Sequence, residues 1–282
     1  MKYFAFCLAG FLVSAMTWAE PVVMVTDISD GVYTVVNNKQ EKVLLLSRME
    51  PGTLIRLEAN AHLTVTSLTK MVEYRFVGPA RLTVENDRVV THEGKGDVKS
   101  VSLQKISAAR KFSVSQRESV TQAAFEMRGS LRPGLRLDDP VDTLVVGDGL
   151  VFSWDGPRSI KGYRLQIFGS HGKPIYQTAV NTNSWVPPVD LLKEGETYEW
   201  EIEAELGKGE RLTARARFNL ASSELAKAVK ELSPSASASF SDRVLYAIYL
   251  ENNEFGYDAR TIWKSLVKEH PDDMVVREHS IR

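Results

Sequence analysis

The chain has 282 residues, 25% of them charged and 43% apolar, with a formal net charge of −1. That is the balance of an ordinary soluble globular protein with room for roughly two or three domains. The near-neutral charge gives no footprint for nucleic-acid binding, which usually needs a basic domain or stripe, and the single cysteine, Cys7, excludes an intrachain disulfide and a cysteine-held zinc.

Residues 1–19 read as a secretory signal peptide. Lys2 is its positive start, residues 3–16 form an apolar run too short for a comfortable membrane span, and Ala19 is a small residue suited to cleavage before Glu20. Retention as an anchor is the alternative. No later stretch approaches the roughly 20 apolar residues of a spanning helix. The mature chain is therefore expected to be periplasmic, in a Gram-negative envelope, with no membrane span and no thiol.

Residues 20–107 read as a first β domain. Short β-branched or apolar runs at 22–25, 32–36, 43–46, 54–57, 62–66 and 71–77 are separated by turn signals at Asp30-Gly31, Asn37-Asn38 and Pro51-Gly52. Gly78-Pro79 breaks the last run, and a strand over 80–84 follows. Asn86-Asp87 then turns into a run over 88–92. Glu93-Gly94-Lys95-Gly96-Asp97 reads as a hairpin loop. Strands about every ten residues without a helical period predict a β-roll or small sandwich.

The stretches Met49-Glu50-Pro51-Gly52-Thr53-Leu54, Ala61-His62-Leu63-Thr64-Val65 and Tyr74-Arg75-Phe76-Val77-Gly78-Pro79-Ala80-Arg81-Leu82-Thr83-Val84 resemble the FecR-like periplasmic domain, over about residues 43–107. Ser67-Leu68-Thr69-Lys70 stands where that family usually has an Asp-Gly-Ser turn. The resemblance implies a role in envelope sensing. The family's sensor members carry a membrane helix, and this chain shows none after its signal.

Residues 108–140 read as a connector, with a helix over 115–127 capped by Ser115 and Glu118. Arg132-Pro133-Gly134 and Asp138-Asp139-Pro140 read as turns.

Residues 141–220 read as a second, antiparallel β domain, and its final hairpin carries the clearest pattern in the chain. Tyr198, Trp200, Ile202 and Ala204 alternate with Glu199, Glu201, Glu203 and Glu205; Leu212, Ala214, Ala216 and Phe218 alternate with Arg211, Thr213, Arg215 and Arg217. Pairing Glu205 with Arg211 sets acids against bases on one face and apolar side chains together on the other, and a one-residue slip would spoil both. Phe152-Ser153-Trp154, Gly162-Tyr163-Arg164-Leu165-Gln166-Ile167 and the corner 192–197 leading to Tyr198 are similar to fibronectin type III and related Ig-like modules, over about 145–220. In that likeness Trp154 and Tyr198 fill the core.

Residues 221–282 read as helical. Ser222-Ser223 caps a helix over 224–232, Ser241-Asp242 one over 243–251, and a further helix runs over about 257–269 to Pro271. Ala247, Ala259, Trp263 and Pro271 resemble the spacing of a single tetratricopeptide unit, a helical hairpin over about 241–271. Tyr246, Tyr249, Phe255, Tyr257 and Trp263 crowd these helices. Some of them must be core; a two-helix unit has little core to offer, so the others dock on the sandwich or on a partner, and the five are the candidate partner-binding residues. Deletion of residues 241–282 should then spare both β domains and abolish partner association.

No catalytic residue, cofactor or metal site is expected. The four glutamates of the hairpin stand about 7 Å apart between neighbours, a spacing near that of glycosidase pairs. The arginines opposite would lower their pKa values, where an acid needs a raised one, so they read as a solvated ion-pair ladder. The five histidines show no ligand spacing. Phe168, Tyr176 and Trp185 are not all accounted for by inward faces; they read as sandwich packing, with a sugar-binding platform as the other possibility. The expected role is a non-enzymatic envelope scaffold or signalling accessory with an envelope protein partner. The alternative is a carbohydrate- or peptidoglycan-binding accessory module.

Overall fold

A computed structural model describes residues 22–36, 39–67, 72–86, 88–100, 134–157, 160, 162–207, 210–235 and 237–281. The expected signal segment with Cys7, and most of the expected connector with its helix over 115–127, lie outside the described residues. The architecture is mainly β, with a C-terminal unit of four helices.

The first unit comprises β1 (Val23–Ile28), β2 (Val32–Val36), β3 (Lys39–Lys42), β4 (Arg48–Met49), β5 (Leu54–Leu57), β6 (His62–Ser67), β7 (Val72–Val84) and β8 (Val89–Ser100). They form one sheet in the order β3-β2-β5-β7-β6-β1-β4, with β8 along β7. The long β7 pairs with β6 through its first half and β5 through its second. The sheet thus curls as a half-barrel over Val23, Val25, Leu63, Val65, Phe76 and Leu82.

Three local readings need correction. The chain does not break at Gly78-Pro79; β7 runs through it with a bulge, and Gly78 is required because a Cβ there would stand 1.8 Å from the Glu58 carbonyl oxygen. The Gly-rich stretch 93–97 belongs to β8, where Gly96 lies opposite Phe76 and leaves room for its ring. Residues 43–46 are a turn, with Leu46 at φ 62°. Val43 stays in the core of the first unit and Leu44 is exposed, while Leu45 is buried in the helical core.

The second unit has β9 (Arg136–Asp139), β10 (Thr143–Val145), β11 (Phe152–Asp155), β12 (Tyr163–Phe168), β13 (Pro174–Val180), β14 (Ser184–Trp185), β15 (Thr197–Gly207) and β16 (Glu210–Leu220). A five-stranded sheet, β10-β16-β15-β12-β13, and a three-stranded one, β14-β11-β9, share a core of Phe152, Trp154, Leu165, Ile167, Trp200 and Phe218. The β15–β16 register is the expected one, from Glu205↔Arg211 to Tyr198↔Phe218. Two details differ from the sequence reading. The end of the expected connector is a strand, because β9 pairs with β11. The unit is not wholly antiparallel, because the chain crosses between sheets after β9 and lays β10 parallel to β16.

The helices are α1 (Ser223–Leu232), α2 (Phe240–Asn252), α3 (Gly256–Val267) and α4 (Met274–Ile281). Ser222 caps α1 as expected. Ser239 caps α2, in a reciprocal box with Asp242, which releases Ser241 for a different role. The expected hairpin omits α4, whose first turn is held by Asp273: its Oδ1 accepts from the Val275 and Val276 N–H groups at 2.8 and 3.1 Å. No described helix is long and apolar enough to cross a membrane.

Candidate functional site

The five expected partner-binding residues are core residues. Tyr246, Tyr249, Phe255, Tyr257 and Trp263 are all buried, and none offers a free ring face. Tyr246 donates its hydroxyl to the Val229 carbonyl at 3.2 Å, and burial pushes its pKa up to about 12. The Trp263 indole N–H donates to Glu251 Oε1 at 2.8 Å, which also holds His279 Nδ1 at 2.8 Å and so ties α4 to α2. The Tyr257 hydroxyl accepts from the Val151 N–H at 2.9 Å and donates to the Gly149 carbonyl at 3.0 Å, reaching into the second unit. The small core expected of a two-helix unit is enlarged by α1, α4 and both β units, and Tyr246, Tyr249, Phe255 and Trp263 fill it, while Tyr257 packs in the sandwich core.

The helices form a joint between the two β units. Ile28, Leu45 and Leu46 enter their core from the first unit, Leu144 and Val146 from the second. On the first side Ser241, 2% exposed, donates to Oε2 of the fully buried Glu73 at 2.9 Å, and its oxygen lies 2.7 Å from the Thr26 hydroxyl. Arg75 Nε donates to the other oxygen of Glu73 at 2.6 Å. A buried carboxylate is tolerated only with such partners. On the second side Arg260 pairs with buried Asp139, and the Thr143 hydroxyl donates to the Glu254 carbonyl at 3.0 Å.

Asp258, in the first turn of α3, accepts from the Val146 N–H at 3.0 Å. Burial pushes its carboxyl up to about 6, against the opposing pull of that bond and its own N–H; Asp148 adds to the rise and Lys230 opposes it. Between the ordinary 3.8 and about 6 the folded chain holds a proton that the unfolded chain has released. Stability therefore falls as pH rises through that window and levels off above it. Asp258→Asn, which can still accept from Val146, is expected to flatten this slope and to stabilise the neutral-pH chain by at most about 3 kcal/mol. Urea unfolding at a series of pH values checks both effects.

The glutamate strand is a solvent-facing ladder. Glu199 binds Arg215 at 2.9 Å and Arg217 at 2.6 Å, while Glu203 meets Arg164 and Arg211, each at 3.4 Å. Among the described residues no group of three or more His, Cys, Asp or Glu is placed to hold a metal ion. A cleft of about 840 Å³ lies in the first unit beside Gly78 and Pro79, between Arg56, Glu58, Arg81 and Glu93.

The aromatic residues of the sandwich remain partly open. Tyr176 on β13 and Trp185 on β14 stand at the edges of opposite sheets, with ring centroids 5.3 Å apart at 31°. Phe152 backs Trp185 from the core at 5.4 Å. Both rings of the pair are half-buried. Val186 and Val189 beside them are 63% and 89% exposed. Phe168 is covered by the Arg215 guanidinium, 4.3 Å above its ring, and so is not part of this flank. From Pro174 to Val189 there is no charged residue, in a chain that is 25% charged.

No family model and no curated protein matches the chain. Among solved structures it is similar to the fn3 domain of the human collagen alpha-1(XX) chain, at 20% identity over 42% of this chain and 96% of that one, with a TM-score of 0.26. It is also similar to apo Bacteroides uniformis beta-glucuronidase 3, at 12% identity over 61% of this chain and 27% of that one, with a TM-score of 0.24. Scores this low decide neither fold nor activity.

Proposed function

We propose that the chain is a secreted, non-enzymatic binding protein of the bacterial envelope, and that its ligand is a glycan held on the flank of the second unit. The observation that carries this reading is the half-buried Tyr176–Trp185 pair within an uncharged stretch. A sugar ring has an apolar C–H face that lies against an aromatic ring, and hydroxyls that bond to short polar side chains. Thr178 shares a strand face with Tyr176, and Asn183 and Ser184 precede Trp185. Binding sites of this kind combine aromatic surface with a few polar groups. A neutral flank favours a polysaccharide or the glycan strand of peptidoglycan over a highly charged partner.

The module is read as Ig-like, of the fibronectin type III kind. Support comes from its two facing sheets, from Trp154 in the core, and from the Tyr198 hydroxyl, which accepts from the Lys193 N–H at 2.7 Å as a tyrosine corner does. The FecR-like resemblance of residues 43–107 supports the competing reading, a scaffold or signalling accessory with a protein partner. That reading has lost its proposed surface, since the helical aromatics are buried.

The test uses the chain recovered from a periplasmic fraction, its N-terminus read by mass spectrometry and expected at Glu20. Its retention on insoluble peptidoglycan and on neutral polysaccharide is then measured. Trp185→Leu, which keeps apolar bulk over Phe152, is expected to weaken retention at least about tenfold, the loss of roughly 1.4 kcal/mol of ring contact, with the melting curve little changed. Unaltered retention, or capture of one defined protein and no glycan, would return the chain to the scaffold reading.

A further inference from the structure

Edge strands present unpaired backbone groups, and proteins normally blunt them with charge, shortness or cover. Most sheet edges described here follow that rule. Strand β3 is Lys39-Gln40-Glu41-Lys42, and β9 carries Arg136 and Asp138. Strands β4 and β14 have two residues each and β10 has three. The outer strand β8 carries Glu93, Lys95, Asp97 and Lys99. Strand β13 is the exception among the described residues: it is seven residues long, has no charge, pairs only with β12, and carries its one blunting residue, Pro174, at its first position. Its outward side chains Ile175, Gln177 and Ala179 are all exposed.

We infer that β13 pairs antiparallel with β13 of a second copy of this chain, about a two-fold axis at Gln177. The strand complements itself in that register. Gln177 faces Gln177, exposed Ile175 faces the small Ala179, and Tyr176 faces the β-branched Thr178; no like charges meet. A closed two-fold contact of this kind consumes the edge on both copies and leaves no open end for further growth. It also gives Val186 and Val189, on the neighbouring β14 margin, a second surface to approach. One edge pairing buries less than the roughly 1,200 Å² of a stable interface, so the dimer is weak and reversible.

The consequence deepens the proposed function and, in this part, rests on it. The two five-stranded sheets become continuous with their inner faces on one side. The two Tyr176 residues become diagonal neighbours, with backbones about 7–8 Å apart. The two Tyr176–Trp185 pairs then share one track, and a glycan chain long enough to meet both binds with the advantage of bivalency.

Sedimentation velocity of the mature chain, from low to high micromolar concentration, tests the pairing without any glycan. The wild type is expected to shift from monomer to dimer. Gln177→Lys and Gln177→Glu, each placing like charges at the two-fold, should each weaken self-association at least about tenfold. An equal mixture of the two should regain the dimer, a result that misfolding of either variant would prevent. A wild type that stays monomeric, a Gln177→Lys chain that dimerises normally, or a mixture that fails to pair would overturn the inference. Trp185→Leu separates the two ideas: lost glycan retention with an intact dimer supports both. Retention by a chain that never dimerises keeps the glycan reading and removes the pairing.

Discussion

Deletion of residues 241–282 is expected to unfold the joint and to destabilise both β units, where the sequence reading has them surviving. The deletion removes most of α2 and all of α3 and α4, which bury Val244, Leu245, Leu250, Trp263 and Leu266 against their neighbours. Leu45 and Leu46 of the first unit would be left in water, Glu73 would lose its Ser241 contact, and the sandwich core would lose Tyr257. Each large apolar side chain so exposed costs about 1.5–3 kcal/mol, against a net stability of about 5–15 kcal/mol for a typical domain. Thermal melting by circular dichroism, with limited proteolysis, measures the result. A truncated chain that melts at the wild-type midpoint would show the helices to be a separate appendage.

Trp200→Ala is expected to cost about 3–5 kcal/mol, as a large-to-small change in a packed core. Trp200 is fully buried, meets Phe152 edge-on at 5.1 Å, and donates its indole N–H to the Pro140 carbonyl at 2.7 Å. The substitution opens a cavity between the sheets and strips a buried carbonyl of its donor. Glu201→Ala, one residue along on the outer face, should cost less than about 1 kcal/mol, because Arg215 opposite it already binds Glu199. Urea unfolding of the two variants side by side decides it. Equal costs would mean that the two faces of β15 are assigned the wrong way round.

The hairpin was legible because two independent periodicities, acid against base and apolar against apolar, select the same register. The helical unit was less legible for a physical reason. Strand β15 borders water on one side, so its pattern declares a face. Helix α2 is buried on most sides, with Val244, Leu245, Tyr246, Ala247, Tyr249 and Leu250 all inside. A helix apolar nearly all round is an interior helix, and that signal contradicted the reading of its tyrosines as a partner surface. Helix α4 was missed because Pro271 looked like an ending; Asp273 two residues later was the available start signal. The Ser241–Glu73 contact and the departure of Leu45 from the sheet leave no local trace, since each is defined by a residue far away in the chain. Of the candidate flank, Trp185 and Tyr176 were visible as aromatics unclaimed by an inward face, and only the structure sets their rings side by side.

The helical joint also sets an order of events. Ser241 reaches Thr26 across 215 positions and Glu73 across 168. Contacts of such separation close late, because the chain between them must be ordered first. A chain released from its amino end presents the first unit long before the helices that cover it exist. During that interval Leu45 and the carboxylate of Glu73 stand open to chaperones and proteases, and the newborn protein depends on the later-made helical unit to hide them.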